Sequence, residues 1–511
     1  MTIYNINLGI GWASSGVEYA QIYRAKLLRS VGLEAKFIFM DFISADNIEH
    51  LTKNIGFEDS EVIWLYQHFT DVKIAPTTYT LAQVLASFDK EPLEIIRDTD
   101  MKTIRLVFGD GDFVTCYACD MDKELIERAE IVSRGCLIQK EYYTYTKNFI
   151  EYFSPMNGHA QLYQRTWLNE DGSVAYEEII NEVDGRQETQ VYRFPNHVFY
   201  SKQEFVAHFM RSLSLTDKDL LILDRETDIG QAIFANKGAA KLVVIVHADH
   251  FSENPAEKDY ILWNNYYDYV FSNVDKIDFF LVSTDQQKEE LTQHFRQYSS
   301  YCPSVFTIPV GYVPHLIGSE KKRNAFSLMT ASRLVVEKHI DWLIDAVVEV
   351  KKILPEITFY IYGTGQEKER LAQLIDQHQA SSYIFLMGHQ PMATIYPQHE
   401  VYLTASTGEG FGLTLLEALS AGLPLIGLDV PYGNQHFIQN GENGFLLNFT
   451  NQSSDREIIS NFVASILEVY QRNLWDSMSE KAYARAEAYL TKEVGEKWLQ
   501  LFKEVWHDSA I

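Results

Sequence analysis

The sequence predicts an α/β protein with two doubly wound domains and an antiparallel β-meander inserted into the first. Three observations predict this class. Strand, glycine-loop and helix patterns alternate at the start of the chain, as they do in parallel α/β sheets. Short alternating runs separated by turn signals follow from about Asp89 to Phe199. The α/β alternation then resumes, and it starts a second time near Ala325.

The first domain is predicted to contain residues 1–88 and 200–313 of the 511-residue chain. Its first strand spans 3–8 and is followed by the glycine-bearing loop Gly9–Gly16 and a helical pattern from Val17. The next strand is 36–40, and helical patterns continue to about Phe88. After the insertion, strands are predicted at 219–223, 241–246 and 279–283.

The insertion is predicted over residues 89–199. Turn signals occur at Gly109-Asp-Gly111, Asn157-Gly158, Asp171-Gly172 and Asp184-Gly185. Strands are expected at 104–108, 161–167, 175–180 and 190–194. An aromatic-rich sheet of this kind is a natural surface for a polypeptide or a partner subunit. The sequence leaves a purely structural insertion equally open.

The second domain is predicted over 314–490, with a C-terminal helix over 491–511. The connector 306–314 and the basic stretch Lys321–Arg323 precede its first strand. Further strands are expected at 358–363, 384–386, 401–403 and 425–428, and helices from about Ile458. Ligands bind such domains at the carboxyl ends of the strands, so the loops after those strands are the candidate site.

The amino-acid composition disfavours several kinds of ligand and several cellular locations. A net charge of −26 and a pI near 5.0 disfavour binding to nucleic acid, to anionic lipid and, more weakly, to a polyanionic acceptor. Cys116 and Cys119 form a CxxC inside a predicted strand, and we expect the four cysteines to be reduced structural thiols. The N-terminus lacks a signal-peptide pattern, and no apolar run approaches ~18 residues, so we expect a cytoplasmic protein.

The segment Glu409–Glu417 carries the strongest chemical signal. Gly410 and Gly412 allow the backbone to approach a ligand, and the helix that follows offers free N–H groups. That helix is expected to bury Leu413, Leu416 and Leu419. Glu417 lies inside this apolar helix and should have a hydrogen-bond partner. A helix N-terminus with an acidic first residue and one solvated glutamate remains the alternative.

Other polar groups follow strand ends. Arg333 and Lys338 come after the first strand of the second domain and are placed to meet an anion. Glycine turns follow two further strands, at 362–365 and 388–390. His247 ends a strand of the first domain, and its spacing to Asp249 and His250 is poor for a metal site. We therefore predict no metal.

These motifs resemble those of retaining, nucleotide-sugar glycosyltransferases of family four, which have the GT-B fold. The resemblance rests on Arg333, Lys338 and the E-x7-E pair Glu409 and Glu417, and the Gly9–Gly16 loop fits it. The inserted meander and the string Gly16-Val-Glu-Tyr-Ala-Gln21 narrow it to the catalytic A subunits of bacterial transferases that attach GlcNAc to serine-rich-repeat adhesins. Teichoic-acid glycosyltransferases carry a related insertion. That acceptor and a non-catalytic, acceptor-binding subunit therefore stay open as alternatives.

The resemblance implies UDP-GlcNAc as donor, no cofactor or metal, and a homologous B subunit as partner. An adhesin polypeptide would be the acceptor, and peripheral contact with the cell membrane is compatible with it. Catalytic roles would fall to Glu409, Arg333, Lys338 and His247. The residues implied in substrate binding are Gly16, Val17, Glu18 and Tyr19 for UDP; His247 for the sugar; His389 and Gln390 for uracil; Glu409, Gly410, Phe411 and Gly412 for the sugar hydroxyls; and Glu417 for the ribose.

One position departs from the family pattern. Members usually have Lys-Gly after the arginine, where this chain has Lys338-His339. A β-carbon at this position is expected to tighten the turn while the cation is kept.

Since Glu417 is assigned to the ribose, the two glutamates are not an acid/base pair, and a front-face reaction is preferred to double displacement.

Overall fold

The computed structural model describes residues 1–11, 16–109, 111–156, 158–183, 186–252, 260–318 and 323–506. It divides into two compact units, Met1–Val243 and Val244–Ile511. Some predicted features lie outside the described residues: the middle of the Gly9–Gly16 loop; Asp110, Asn157, Asp184 and Gly185 of the turn signals; Lys321 and Lys322; and the end of the last helix. The domain boundaries given above stay predictions.

The first unit begins as a parallel α/β structure. Its opening elements are β1 (Ile3–Asn7), α1 (Gly16–Ser30), β2 (Ala35–Phe39), α2 (Ile48–Ile55), β3 (Val62–Trp64) and α3 (Leu81–Ala86). β1 pairs in parallel with β2, and β2 with β3. The sequence analysis missed β3 inside a region interpreted as helical, because a strand of three residues is too short to show a period.

An antiparallel sheet follows. Its strands are β4 (Glu94–Asp98), β5 (Thr103–Gly109), β6 (Asp112–Asp120), β7 (Leu125–Ser133), β8 (Cys136–Tyr143), β9 (Lys147–Met156), β10 (His159–Leu168), β11 (Val174–Val183), β12 (Arg186–Arg193) and β13 (Val198–Phe199). Each strand pairs with its neighbour in the chain, so the predicted meander is confirmed. One face buries Ile104, Leu106 and Val114 together with Leu81 and Val84 of α3.

The first unit closes with a return to the parallel sheet. These elements are α4 (Lys202–Ser212), β14 (Leu220–Leu223) and α5 (Gly230–Asn236). β14 pairs in parallel with β1, which gives the order β14-β1-β2-β3. All four residues of β14 are buried, as expected for a strand covered on both faces. The next strand, β15 (Lys241–Val246), contains the division between the units.

The second unit holds a parallel sheet in the order β22-β21-β20-β23-β24-β25. Its elements are β16 (Phe251–Ser252), β17 (Leu262–Trp263), α6 (Asp268–Phe271), β18 (Phe279–Val282), α7 (Asp285–Tyr298), β19 (Ser304–Thr307), β20 (Ser327–Ala331), α8 (Ile340–Lys351), β21 (Thr358–Tyr362), α9 (Lys368–Gln377), β22 (Ile384–Gly388), β23 (Val401–Thr404), α10 (Leu413–Ser420), β24 (Leu425–Leu428), α11 (Gly433–Phe437), β25 (Gly444–Leu447), α12 (Asp455–Gln471), α13 (Trp475–Glu487) and α14 (Thr491–Trp506). β19 lies where the sequence suggested a connector, and β25 was not predicted.

The core of the second unit lies between its sheet and the helices that cover it. Leu343 and Val347 of α8 pack in one cluster with Phe462 and Ile466 of α12. Because the sheet strands are covered, they appear in the sequence as nearly continuous apolar runs, and this made them predictable. In the part of the chain that the structure describes, no helix has the length and apolarity needed to cross a membrane.

The four cysteines are free. Cys116 is buried in β6, and burial raises the pKa of its thiol to about 12. Cys119 on the same strand is exposed. A buried thiol with a raised pKa is a poor nucleophile and a poor metal ligand, which fits the structural role expected from the sequence.

Candidate active site

The candidate site lies where the strand order of the second unit reverses. β20 and β23 are neighbours at the centre of the sheet, and the chain winds outward from them in both directions. Ligands bind open α/β sheets at such a switch point, beyond the carboxyl ends of the strands. The segment after β20 carries Arg333 and Lys338, and the segment after β23 carries Glu409. The N–H of Thr407 donates to Glu337 O (3.4 Å) and joins the two segments.

The segment that carries Arg333 packs against the glycine turn after β21. A β-carbon on Gly363 would lie 1.8 Å from Ser332 O, and one on Gly365 would lie 2.2 Å from Leu334 O. The N–H of Leu334 also donates to Thr364 O (2.9 Å). The two glycines therefore support the arginine segment by close backbone packing. Arg333 itself is exposed, and its guanidinium has no hydrogen bond or ion pair to any described residue.

Lys338 and Glu409 are in direct contact. Lys338 Nζ donates to Glu409 Oε2 (2.7 Å) and to Ser406 Oγ (3.0 Å), and the two charged side chains are 18% and 23% exposed. The family resemblance implied a diphosphate contact for Lys338 and a sugar contact for Glu409, and the structure brings the two side chains together. An ammonium group has three donors, so one N–H of Lys338 is left for a ligand oxygen.

The backbone of Glu409 is fixed by the segment before α11. The N–H groups of Tyr432 and Gly433 both donate to Glu409 O (2.7 Å each), and Glu409 N–H donates to Pro431 O (3.2 Å). A β-carbon on Gly433 would lie 2.3 Å from Phe411 O, so this approach requires glycine. Sequence reasoning missed this support, because no local pattern links Glu409 to residues more than twenty positions later.

Glycine is required at positions 410 and 412 for different structural reasons. A β-carbon on Gly410 would lie 2.3 Å from His247 O, so glycine lets the turn approach the His247 backbone closely. Gly412 has φ 85° and ψ 63°, a left-handed conformation, and it precedes α10 without a side-chain cap. The first N–H groups of a helix have no intrahelical acceptor. Leu415 N–H donates to Gly412 O (3.0 Å), and with no capping side chain the N–H groups of Leu413 and Thr414 remain for a ligand hydroxyl or phosphate oxygen.

Phe411 and the leucines of α10 form the packed side of this turn. The Phe411 ring is 4% exposed and packs against Phe437 and Tyr489. Only its backbone is therefore suited to contact a sugar, which limits the role implied by the family resemblance. α10 buries Leu415, Leu416 and Leu419. Leu413, expected on the buried side, is only half-buried.

Glu417 has the partner that its position required. The buried Tyr396 hydroxyl donates to Glu417 Oε2 (2.8 Å). A second buried tyrosine, Tyr402, donates its hydroxyl hydrogen to Ala331 O (2.9 Å), and its oxygen lies 3.0 Å from Thr414 Oγ1, whose hydroxyl can donate to it. These contacts tie the start of α10 to the end of β20. Tyrosine hydroxyls therefore contact α10 at Thr414 in its first turn and at Glu417 in its second turn.

His389 and Gln390 follow β22, two strands away from β20 on the other side of β21. Both side chains are exposed, and Gln390 Nε2 donates to Met387 O (3.3 Å). The structure places them on the same carboxyl edge as Arg333. It shows no direct contact between them and the Lys338–Glu409 pair.

The segment after β15 is fixed through backbone contacts. The Tyr267 hydroxyl accepts the N–H groups of His247 (2.9 Å) and Ala248 (3.2 Å). Burial, followed by the charges of Glu290 and Glu409, raises the pKa of Asp249. The carboxylates of Glu290 and Glu409 therefore both act on Asp249 electrostatically. The sequence analysis considered Asp249 only as a metal ligand and missed this proximity.

A buried hydrogen-bond chain lies beside Glu409. The Tyr432 hydroxyl donates to Glu290 Oε2 and lies 3.4 Å from His250 Nδ1, while His250 Nε2 contacts His294 Nδ1 (2.9 Å). Burial, with a smaller contribution from His294, lowers the pKa of His250 to about 3. Both ring nitrogens of His250 thus face protein groups, so this histidine is part of the scaffold.

The first unit holds the residues implied in UDP binding. α1 begins at Gly16, and both Gly16 and Tyr19 are exposed. Glu18 is buried and accepts bonds from Asn7 Nδ2 (3.2 Å) and Arg225 Nη1 (2.8 Å). Its carboxylate therefore holds the start of α1 in place. Val17 is half-buried in the same turn.

Two known protein families match parts of this chain. The family described as "Glycosyl transferases group 1" matches residues 325–467, and "GtfA extended beta-sheet domain" matches 96–196. The UDP-N-acetylglucosamine–peptide N-acetylglucosaminyltransferase GtfA subunit of Streptococcus pneumoniae is 55% identical over 99% of this chain and 100% of its own length.

Two crystal structures are similar over nearly the whole chain. The pneumococcal O-GlcNAc transferase GtfA in complex with UDP and GlcNAc has a TM-score of 0.94 at 54% identity, covering 99% of each chain. The structure of a GtfA/B complex has a TM-score of 0.93 at 52% identity, covering 99% of this chain and 100% of the other. The predicted fold class, an α/β GT-B glycosyltransferase with an inserted antiparallel sheet, is confirmed. The chain therefore belongs to the family of GtfA subunits of UDP-N-acetylglucosamine–peptide N-acetylglucosaminyltransferases.

Proposed function

We propose that this chain transfers GlcNAc from UDP-GlcNAc to Ser and Thr hydroxyls of a serine-rich-repeat adhesin. This would be the first step of the adhesin's O-glycosylation, carried out with a homologous B subunit. The observation that carries the proposal is the contact between Lys338 and Glu409 beside an unpaired Arg333, at the switch point of the sheet. Membership in the GtfA family supports the donor and the acceptor class.

The leaving group is stabilised by cations of the chain itself. As the bond to UDP breaks, negative charge develops on the β-phosphate. Arg333 has no internal partner to give up and can bind two phosphate oxygens at once. The remaining N–H of Lys338 and the uncapped start of α10 add further donors. These groups supply the charge that a metal ion provides in other transferases, so we propose a metal-independent reaction.

The donor's sugar and ribose bind to different glutamates. Lys338 engages Glu409 Oε2, which leaves Oε1 to accept a sugar hydroxyl. Glu417, oriented by Tyr396, accepts from the ribose hydroxyls. His247 contacts the sugar, and His389 and Gln390 flank the uracil. Gly16, Val17, Glu18 and Tyr19 contribute to UDP binding mainly through the backbone at the start of α1, since the Glu18 carboxylate already has protein partners.

Retention of configuration follows from a front-face path in this proposal. The bond between the anomeric carbon and the phosphate oxygen breaks, and the acceptor oxygen bonds to the same face of the carbon. The acceptor's proton passes to the departing phosphate oxygen. Double displacement would instead need Glu409 as nucleophile, and its ion pair with Lys338 opposes that role. A trapped covalent glycosyl–Glu409 adduct would contradict the front-face path.

The decisive experiment uses the full chain co-purified with its partner subunit. UDP-GlcNAc, UDP-Glc and UDP-GalNAc are each offered with a serine-rich-repeat peptide or with poly(ribitol phosphate), with and without EDTA. We expect peptide mass to rise by one GlcNAc per site with UDP-GlcNAc only, unaffected by EDTA. Transfer confined to poly(ribitol phosphate) would instead support the teichoic-acid alternative. No release of UDP from any donor would support a non-catalytic subunit.

A further inference from the structure

Asp249, two residues after His247, has no role in the proposed reaction. Its carboxylate has no hydrogen bond or ion pair to any described residue. The residue is exposed, so a ligand can reach it. Enough protein still surrounds the carboxylate that desolvation is the largest cause of its raised pKa. Asp249 therefore combines access from solvent with a carboxylate that has lost part of its hydration and gained no protein partner.

The segment after β15 lies along the turn that contains Glu409. A β-carbon on Gly410 would lie 2.3 Å from His247 O, and one on Gly408 would lie 3.6 Å from Asp249 Oδ2. The two segments thus approach each other on both sides of Glu409 in the sequence, and the Asp249 carboxylate lies at the Gly408 end. The charge of Glu409 also acts on Asp249. A ligand bound at Glu409 is therefore close to this second carboxylate.

Three side chains fix the backbone that carries Asp249. Asn264 Nδ2 donates to Asp249 O (3.0 Å), and Gln287 Nε2 donates to Ala248 O (3.0 Å). The Tyr267 hydroxyl accepts the Ala248 N–H (3.2 Å). Hydrogen bonds to the peptide groups before and after the Asp249 Cα restrict the direction of its side chain. Such preorganisation lowers the cost of ordering the carboxylate when a ligand binds.

The chemistry of a carboxylate selects the part of the donor that Asp249 can bind. An ionised carboxylate only accepts hydrogen bonds, so it needs O–H or N–H groups. The diphosphate offers none and would be repelled. In the proposed function the uracil lies by the residues after β22, and the ribose lies by Glu417 in the second turn of α10. The sugar, assigned to Glu409, presents the hydroxyl donors nearest to Asp249.

We propose that Asp249 binds a hydroxyl of the donor sugar and thereby helps to select that sugar. The inference rests on the proposed function, because it requires a nucleotide-sugar donor. The hydroxyl donates to one Asp249 oxygen, while Glu409 Oε1 accepts from a different hydroxyl of the same ring. Asp249 forms and breaks no covalent bond. A site that hydrogen-bonds a substrate hydroxyl discriminates against sugars that lack it or carry it in the other configuration.

The test compares three variants of the full chain in complex with its partner subunit. Asp249→Ala removes the carboxylate, and Asp249→Asn keeps one acceptor oxygen without the charge. Asp275→Ala is the matched control, because Asp275 is an exposed aspartate of the same unit, has no hydrogen bond to a described residue and precedes β18 instead of following a strand. Each protein is given UDP-GlcNAc and its analogues that lack the hydroxyl on C3, C4 or C6. Hydrolysis without acceptor and transfer to a serine-rich-repeat peptide are both measured, and thermal unfolding confirms folding.

We expect Asp249→Ala to lower kcat/KM for hydrolysis of UDP-GlcNAc about 10- to 100-fold, the effect of a hydrogen bond to a charged group. Asp249→Asn should lose less, and the control should match the unmodified chain. The unmodified chain should lose a similar factor with one of the three deoxy donors. With that donor Asp249→Ala should cause no further loss, while it still lowers kcat/KM with the other two, because only one donor lacks the hydroxyl that Asp249 binds.

Three results would overturn the inference. The first is unchanged hydrolysis and transfer in Asp249→Ala. The second is an equal loss with all four donors, which would mean that Asp249 contacts no sugar hydroxyl at C3, C4 or C6. The third is a raised acceptor KM with hydrolysis intact, which would assign the carboxylate to the acceptor polypeptide. Failure of the unmodified chain to release UDP from UDP-GlcNAc would instead overturn the proposed function itself.

Discussion

Two arginines of this chain show how differently one residue type is used. Arg165 in the antiparallel sheet is 3% exposed and lies between two carboxylates, with Nη2 2.7 Å from Glu151 Oε1 and Nη1 3.3 Å from Glu178 Oε2. Its guanidinium also stacks 3.4 Å from the centre of the Phe42 ring. Arg333 is exposed and has no partner among the described residues. A cation whose charge is already matched stabilises the fold, and an unmatched one beside a strand end is available to a ligand.

The largest effect on folding free energy should come from replacing Arg165, whose charge is balanced by two buried carboxylates. Arg165→Met leaves Glu151 and Glu178 buried without a counter-charge, which costs about 3–5 kcal/mol of folding free energy. We expect chemical denaturation to show this loss. Hydrolysis of UDP-GlcNAc by the remaining folded protein should change little. A variant as stable as the unmodified chain would contradict the structural role of Arg165.

Replacing Arg333, whose charge has no partner among the described residues, should lower activity and leave stability unchanged. Arg333→Met is expected to lower kcat about 100- to 1000-fold, because a donor to the leaving phosphate is lost, while the melting temperature stays the same. Arg333→Lys keeps the charge but loses bidentate binding and should recover only part of the rate. Steady-state kinetics and calorimetry on the same preparations separate the two effects. A large fall in melting temperature would show that Arg333 has a structural partner.

The buried side chain of His250 predicts that stability depends on pH. His250 is fully buried, and its pKa falls from 6.5 to about 3 on folding, so the unfolded chain binds more protons between these values. Stability is therefore fully present above pH 6.5 and is lost as pH falls. The loss per such histidine is about 2 kcal/mol by pH 5. Denaturation at several pH values should show a shallower slope for His250→Gln, and an identical slope would argue against a buried neutral His250.

Tyr432 tests whether the scaffold beside Glu409 affects the rate. Tyr432→Phe removes the hydroxyl bonds to Glu290 and His250 but keeps the backbone bond to Glu409 O. Glu290 then loses the Tyr432 hydroxyl as a donor, and its charge acts on Asp249. We expect kcat to fall about tenfold, equivalent to ~1.4 kcal/mol, with the donor KM nearly unchanged. Tyr396→Phe is the contrasting variant, since it should act on donor KM through Glu417. Equal effects on both parameters in both variants would contradict this division.

The smallest effect concerns the turn after Lys338. His339 has φ 44° and ψ 45°, the left-handed conformation that glycine adopts without strain, and its ring stacks on Trp342 with centroids 3.7 Å apart. His339→Gly relieves strain and loses this stacking, so we expect a stability change within about 1 kcal/mol. Activity should be unaffected because Lys338 keeps its contacts. A large loss of stability would mean that the stacking on Trp342 outweighs the backbone strain.

Much of the fold followed from local patterns. Apolar runs marked β1, β14 and β20 because strands covered on both faces leave little room for polar residues. Dipeptide turn signals marked the meander because each hairpin needs positive φ at its turn. The strand β3 was missed because three residues are too few to show a period, and β19 was missed because its sequence Ser-Val-Phe-Thr is not a continuous apolar run. Glu417's need for a partner was also predictable, although the identity of that partner was not.

The sequence by itself determined the class of the protein and the identity of its charged candidates, because strand patterns and glycine turns are local properties. It also determined that Glu409 lies in a glycine turn and that Glu417 lies inside the apolar helix after that turn. Only the tertiary structure decided which charges are matched. The contact of Lys338 with Glu409 joins residues 71 positions apart, and Arg165 meets its carboxylates across neighbouring strands. Electrostatic pairing acts through space at a few ångströms, so it is set by how the chain folds back on itself and leaves no local trace in the sequence.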